Sequence, residues 1–210
     1  MTRLALNKSS LSREKSSLDT FQRFLPSLDL KRRQLIAERA KAQAALADIE
    51  NGIGGVTDQI GHALPMLANQ HISIEGMVKL AGMDVGEENI LGARLPFLKG
   101  VNIDVVDYGL LLMPHWVDRY IELAHDMIEL RARQHVQRQR LDALELAVRK
   151  VTQRVNLFDK VLIPKTRDNI KRIQIYLSDS DRAAVVRSKI AKAKNEKAKQ
   201  ADQSVEGAPS

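Results

Sequence analysis

The chain has 210 residues, no cysteine and a net charge of +7, with aromatic residues at 4% against an apolar fraction of 44%. Disulfides and thiolate metal sites are excluded, and the apolar content is mostly Leu, Ile, Val and Ala, which with Lys, Arg, Glu and Gln are the residues of long helices. No stretch approaches the ~18 consecutive apolar residues of a membrane span, and the opening Met1-Thr2-Arg3-Leu4-Ala5-Leu6-Asn7-Lys8 lacks the apolar core of a signal peptide, so the chain reads as soluble and cytoplasmic.

Glycine and charge divide the chain. Ten of the eleven glycines lie between Gly52 and Gly109. Residues 1–50 carry 10 basic and 6 acidic side chains, residues 51–115 carry 3 and 7, and residues 116–210 carry 20 and 13. Two basic limbs therefore flank an acidic, glycine-rich middle. This predicts a limb over 1–70, a middle region over 71–113, a second limb over 114–200 and an unstructured tail over 201–210.

The first limb carries a heptad. Steps of three and four pick out Leu11, Glu14, Leu18, Phe21, Leu25, Leu28, Arg32, Leu35, Arg39, Ala42, Leu46, Ile49, Ile53, Val56, Ile60, Ala63 and Leu67, and fourteen of these seventeen are apolar. A register held this long predicts a coiled-coil seam rather than an ordinary surface helix. Asn7, Ser9 or Ser10 suits its cap. Pro26 should kink the helix or mark its first turn. Gly52, Gly54 and Gly55 weaken it by about 1 kcal/mol each, yet the register continues through them, so a continuous helix is expected.

The middle alternates apolar and polar residues over 78–85 and 88–96, which predicts a β-hairpin near 78–96 turning at Gly86-Glu87. The second limb starts after Pro114. Its seam runs through Trp116, Tyr120, Leu123, Met127, Leu130, Gln134, Gln137, Leu141, Leu144, Val148, Val151, Val155, Phe158 and Leu162, then moves by one residue to Ile163, Ile170, Ile173, Leu177 and Ala184. A kink at Pro164 would account for the shift. The fold class expected is mainly α: a long antiparallel two-helix coiled coil from the N- and C-terminal limbs, with a small middle β-hairpin. A limb of about 55–60 helical residues is about 85–90 Å long at 1.5 Å per residue, which leaves little room for an enzyme pocket.

No catalytic, cofactor-binding or metal constellation emerges. Gly86, Gly92 and Arg94 lack the spacing and the Lys-Ser/Thr of a phosphate loop. Asn51-Gly52-Ile53-Gly54-Gly55 is not a dinucleotide fingerprint. His62, His71, His115, His125 and His135 include no pair at i,i+4. Carboxylates interleave with cations as in solvated helix pairs. The basic clusters at Lys31-Arg32-Arg33, at Arg138/Arg140 and from Arg187 to Lys199 suit phosphates or an acidic protein surface. Few aromatics are available to stack bases. Arg32 and Arg39 fall on the seam, where their stems can pack while the charges snorkel outward.

Several blocks resemble the D subunit of the V/A-type rotary ATPases. They are Leu25-Pro26-Ser27-Leu28-Asp29-Leu30-Lys31-Arg32-Arg33, Leu64-Pro65-Met66-Leu67-Ala68-Asn69, Gly86-Glu87-Glu88-Asn89-Ile90-Leu91-Gly92-Ala93-Arg94-Leu95-Pro96 and, most specifically, Arg154-Val155-Asn156-Leu157-Phe158-Asp159-Lys160-Val161-Leu162-Ile163-Pro164. Asp181-Arg182-Ala183-Ala184-Val185-Val186-Arg187-Ser188-Lys189-Ile190 extends the likeness. The resemblance implies a non-catalytic central rotor shaft, peripheral on the cytoplasmic face of the membrane, coupling proton or sodium flow to ATP synthesis or hydrolysis. It implies as partners the A and B subunits of the catalytic hexamer, the F subunit and the socket subunit above the proteolipid ring, with no cofactor, nucleotide, nucleic acid or metal. The alternative is a coiled-coil adapter associated with nucleic acid.

Overall fold

A computed structural model describes residues 4–68, 74–107 and 113–206 of the chain. The elements in order are α1 (Lys8–Ala63), a 3-10 turn (Pro65–Ala68), β1 (Val78–Ile90), β2 (Ala93–Val105), α2 (Trp116–Leu157), a π-helical turn (Phe158–Leu162) and α3 (Ile163–Glu206). The chain forms two compact units. One comprises Met1–Ser27 and Arg154–Ser210; the other comprises Leu28–Gln153.

α1 opens on a side-chain cap. The Asn7 carboxamide oxygen accepts from the Ser10 amide at 2.7 Å, satisfying one of the orphan donors of the first turn. Pro26 lies inside the helix and not in its first turn. A proline there costs about 3 kcal/mol and frees the carbonyl one turn back; beside it, the Ser27 hydroxyl donates to the Phe24 carbonyl at 2.8 Å. The helix also runs unbroken through Gly52, Gly54 and Gly55.

The heptad is the buried stripe. From Leu11 to Ile60 every seam position on α1 is buried or half-buried, with Leu35, Ala42 and Ile53 the most enclosed. From Trp116 to Leu162 the second seam behaves alike, with Leu123, Gln134, Leu144, Val151 and Val155 buried. Enclosing a leucine as fully as Leu35 or Leu144, each 1% exposed, contributes about 1.5–3 kcal/mol.

Within the Leu28–Gln153 unit the helices pair antiparallel. The Gln137 amide donates to the Ala42 carbonyl at 2.9 Å, and Gln134 and Arg138 meet Glu50 at 3.1 and 2.8 Å. Within the other unit, Phe21 and Phe158 meet edge to face with centroids 5.4 Å apart, and Asn169 reaches Glu14 at 3.4 Å. There too, partners rise along one helix as they fall along the other.

The seam shift at Leu162/Ile163 has a different cause from the expected proline kink. The π-helical turn precedes Pro164, and the Ile163 amide donates to the Phe158 carbonyl, five residues back. A π turn inserts one residue into the ladder. The following stripe, Ile163, Thr166, Ile170, Ile173 and Leu177, is accordingly displaced by one residue, and all five are buried or half-buried. Pro164 follows the π turn directly, as the second residue of α3 in a helix that is continuous on both sides of it. Thr166, 6% exposed, escaped the apolar pattern; its hydroxyl is satisfied by the Leu162 carbonyl at 2.8 Å.

The hairpin is longer than its sequence suggested, and its turn lies elsewhere. β1 and β2 pair antiparallel with Ile90 opposite Ala93, so the turn is Leu91-Gly92 and not Gly86-Glu87. Leu91 and Gly92 have φ of 53° and 77°. Two consecutive positive φ values are those of a type I′ turn, whose twist matches the strands; glycine supplies the second at no steric cost. Gly86 serves packing instead: a Cβ there would lie 2.7 Å from the Phe97 ring and from Lys99 Cε.

The C-terminal tail departs in part from the expected unstructured segment. α3 continues to Glu206, because Ala, Lys, Gln and Glu are strong helix formers even without an apolar seam. Residues 207–210 lie outside the described residues.

Candidate interaction surfaces

α2 presents two faces to the Leu28–Gln153 unit. One is the seam. The other is the i,i+4 row Ile128, Ala132, Val136 and Arg140, all buried or half-buried. This row faces the hairpin. Leu80 and Met83 of β1 line one apolar groove of about 370 Å³ with Met127, Ile128 and Ala132. Phe97 to Val101 of β2 border a second, mixed groove with Ile49, Glu129, Arg133, Val136 and Gln137. The row was missed in the sequence because a helix covered on two sides has no single apolar stripe to detect.

A polar layer interrupts the seam. The Glu50 carboxylate accepts from Gln134 at 3.1 Å and from Arg138 at 2.8 Å, while Arg131 donates to the Gln134 carbonyl oxygen at 3.2 Å. The hydrogen bonds from Arg138 first, and then from Gln134, hold the Glu50 carboxyl below its ordinary pKa. Gln134 is only 7% exposed, and burying its amide without partners would cost more than these bonds return.

Two of the basic clusters are paired internally. Arg32 and Arg33 both reach Asp29, at 2.5 and 2.9 Å. Arg138 pairs with Glu50 and Arg140 with Glu88. Arg39 sits half-buried on the seam, its Nε enclosed without a hydrogen-bond partner. In the third cluster, among the described residues, Lys192 lies 3.9 Å from Glu196 one turn on, and its cations form no ion pair with another element. From Ser178 to Glu196 every residue of α3 is exposed, including Val185, Val186 and Ile190 at 54–56%. Along it Arg182, Arg187, Lys189, Lys192 and Lys194 outnumber Asp179, Asp181 and Glu196. Its first turns border a groove with Leu11 of α1, and a stretch exposed throughout with three aliphatic side chains makes a surface suited to a partner.

The other residues weighed in the sequence are scattered. His62, His115, His125 and His135 are exposed, and His71 lies outside the described residues. Among the described residues no three His, Asp or Glu side chains gather as a metal site would require. Gly54, Gly55 and Gly61 have open space where a Cβ would go. Gly92 and Arg94 belong to the hairpin turn and its β2 flank.

The sequence family of ATP synthase D subunits matches residues 10–193. The chain belongs to the ATP synthase D-subunit family. The match covers the seam of α1, the hairpin, α2, the π turn and most of α3. The chain is 32% identical over 192 residues to the V-type ATP synthase D subunit of Borreliella burgdorferi, covering 91% of this chain and 95% of that one. It is 34% identical over 196 residues to the V-type ATP synthase D subunit of Chlamydia muridarum, covering 92% and 96%. It is 31% identical over 196 residues to that of Chlamydia pneumoniae, covering 91% and 92%. As a D-subunit chain it is a stalk component of a rotary ATPase complex and not itself a catalytic subunit. No helix among the described residues is long and apolar enough to cross a membrane.

Proposed function

We propose that this D-subunit chain is the central rotor shaft of a V/A-type ATPase, coupling proton or sodium flow to ATP synthesis or hydrolysis. Its partners on this reading are the A and B subunits of the catalytic hexamer, the F subunit and the socket subunit above the membrane ring. It sits peripherally on the cytoplasmic face of the membrane. The observation that carries the reading is the bare stretch of α3. A helix exposing Val185, Val186 and Ile190 among cations is expensive to leave in water and is suited to insertion among acidic and apolar protein surfaces. The polar layer around Glu50, by contrast, is internally satisfied.

A native pull-down from solubilised membranes, tagged on the hairpin, tests the reading. A- and B-type ATPase subunits should be recovered with one copy of this chain per hexamer, together with a small F-like partner. Recovery of the chain alone, or with nucleic acid that resists salt washing, would overturn it.

A further inference from the structure

The hairpin has a root, a soft middle and a fastened tip. At the root, the Val106 amide donates to the Met77 carbonyl at 2.8 Å, and Met77 is 7% exposed. In the middle, the pairing register slips twice, between Leu80 and Gly82 and between Asp84 and Val85. Bulges of this kind bend a strand and break its ladder locally. Gly82 and Gly100 lie in this stretch, and a Cβ on either would meet nothing within 4 Å. Packing does not require these glycines, so they add only backbone freedom. Leu80, Met83 and Val85 remain substantially exposed there.

At the tip the pattern reverses. Leu95 is fully buried. The Arg140 guanidinium, on a side chain only 20% exposed, pairs with the Glu88 carboxylate of β1 and donates to the Pro96 carbonyl of β2 at 3.3 Å. One planar fork from α2 thus grips both strands at a single level, since Glu88 pairs with Leu95 and Glu87 with Pro96. A guanidinium can do this because its donors diverge in a fixed plane; a lysine cannot. The turn glycine, Gly92, points its open side at the Lys31 ammonium of α1, 3.4 Å from where a Cβ would stand.

We propose that the β1–β2 hairpin is a releasable strap, latched at its tip by Arg140, pegged by Leu95 and hinged at the two bulges. It has a docked position and a lifted one. Lifting uncovers the Val136 and Gln137 side of α2 without unpairing the helices. The inference concerns this chain alone and does not depend on the rotor assignment.

The chain has no cysteine, so two introduced ones report cleanly. Spin labels at Gln34→Cys on α1 and Arg94→Cys near the turn, both exposed positions, should give one narrow distance distribution in the full chain. Adding Arg140→Gln should bring in a second, longer population. Hydrogen exchange should rise about tenfold over residues 86–97 while the amides of α1 and α2 around Leu35 and Leu144 keep their protection. Arg140→Lys, which retains the Glu88 pairing but loses the fork, should fall between. An unchanged distance distribution with unchanged exchange in Arg140→Gln would overturn the latch. So would exchange rising equally in the helices, since Arg140 would then be a general packing residue. If Arg140→Gln loses its helical circular dichroism, Arg140→Lys decides by the same two readings.

Discussion

Gly54 and Gly55 sit in the interior of α1 with nothing near the position of a Cβ. A glycine there costs about 1 kcal/mol relative to alanine through the freedom it regains on unfolding. Gly54→Ala and Gly55→Ala should each stabilise the chain by about 0.5–1 kcal/mol, seen as a higher urea midpoint at unchanged slope. Glu50 makes a pH-dependent contribution of different origin. Its folded-state pKa is depressed by Arg138 and Gln134, so the folded chain binds fewer protons at this site than the unfolded one. Its stabilisation is therefore full above the ordinary carboxylate pKa of about 4.3 and is lost as pH falls through the lower folded value. The urea midpoint of Glu50→Gln should lie below that of the parent at pH 7, and the two should converge on acidification through that window. Glu50 is an exposed residue, so salt should also narrow the gap.

The π-helical turn is an inserted residue made visible. The seam before it and the stripe after it are each regular, and they differ by one position. Deleting exposed Asp159 should let an unbroken α-helix join the two in register, limiting the loss to about the 3 kcal/mol of an interior proline at Pro164. Deleting exposed Arg149, which lies in regular α-helix, should instead rotate every later seam residue by about 100° off its partner and sharply lower the melting temperature. Comparable losses for both deletions would mean that the π turn does not set the register. The elements were legible in the sequence where one physical demand dominated. The seams were readable because a helix pair buries every third or fourth residue, and the shift in register at Ile163 was visible before its cause. The hairpin turn was misplaced because Gly86 and Gly92 look alike as letters. Only the packing against Phe97 and the positive φ at Leu91 and Gly92 separate a close-approach glycine from a turn glycine. Thr166 and Arg140 were invisible as core residues because their burial depends on a specific acceptor, Leu162 in one case and both strands of the hairpin in the other.

For the whole molecule, membership in the D-subunit family was legible from blocks such as Arg154 to Pro164, where the residues are not dictated by heptad geometry. The exposed stretch of α3 from Ser178 to Glu196 is where the proposed role is tested. Reversing the charge of Arg187, Lys189, Lys192 and Lys194 leaves the internal packing untouched, since all four are exposed. The quadruple Glu variant should keep its melting temperature and yet co-assemble weakly with A and B subunits, with its hydrolysis uncoupled from ion movement. Normal coupling would locate the interaction elsewhere. The central claim is that this chain turns inside the hexamer, and rotation itself tests it most directly. A bead attached through a single cysteine at exposed Val85, in a complex whose hexamer is fixed to a surface, should turn in one direction when ATP is supplied and stop when it is removed. Steady ATP hydrolysis with the bead stationary relative to the hexamer would contradict the assignment and make the chain part of the stator.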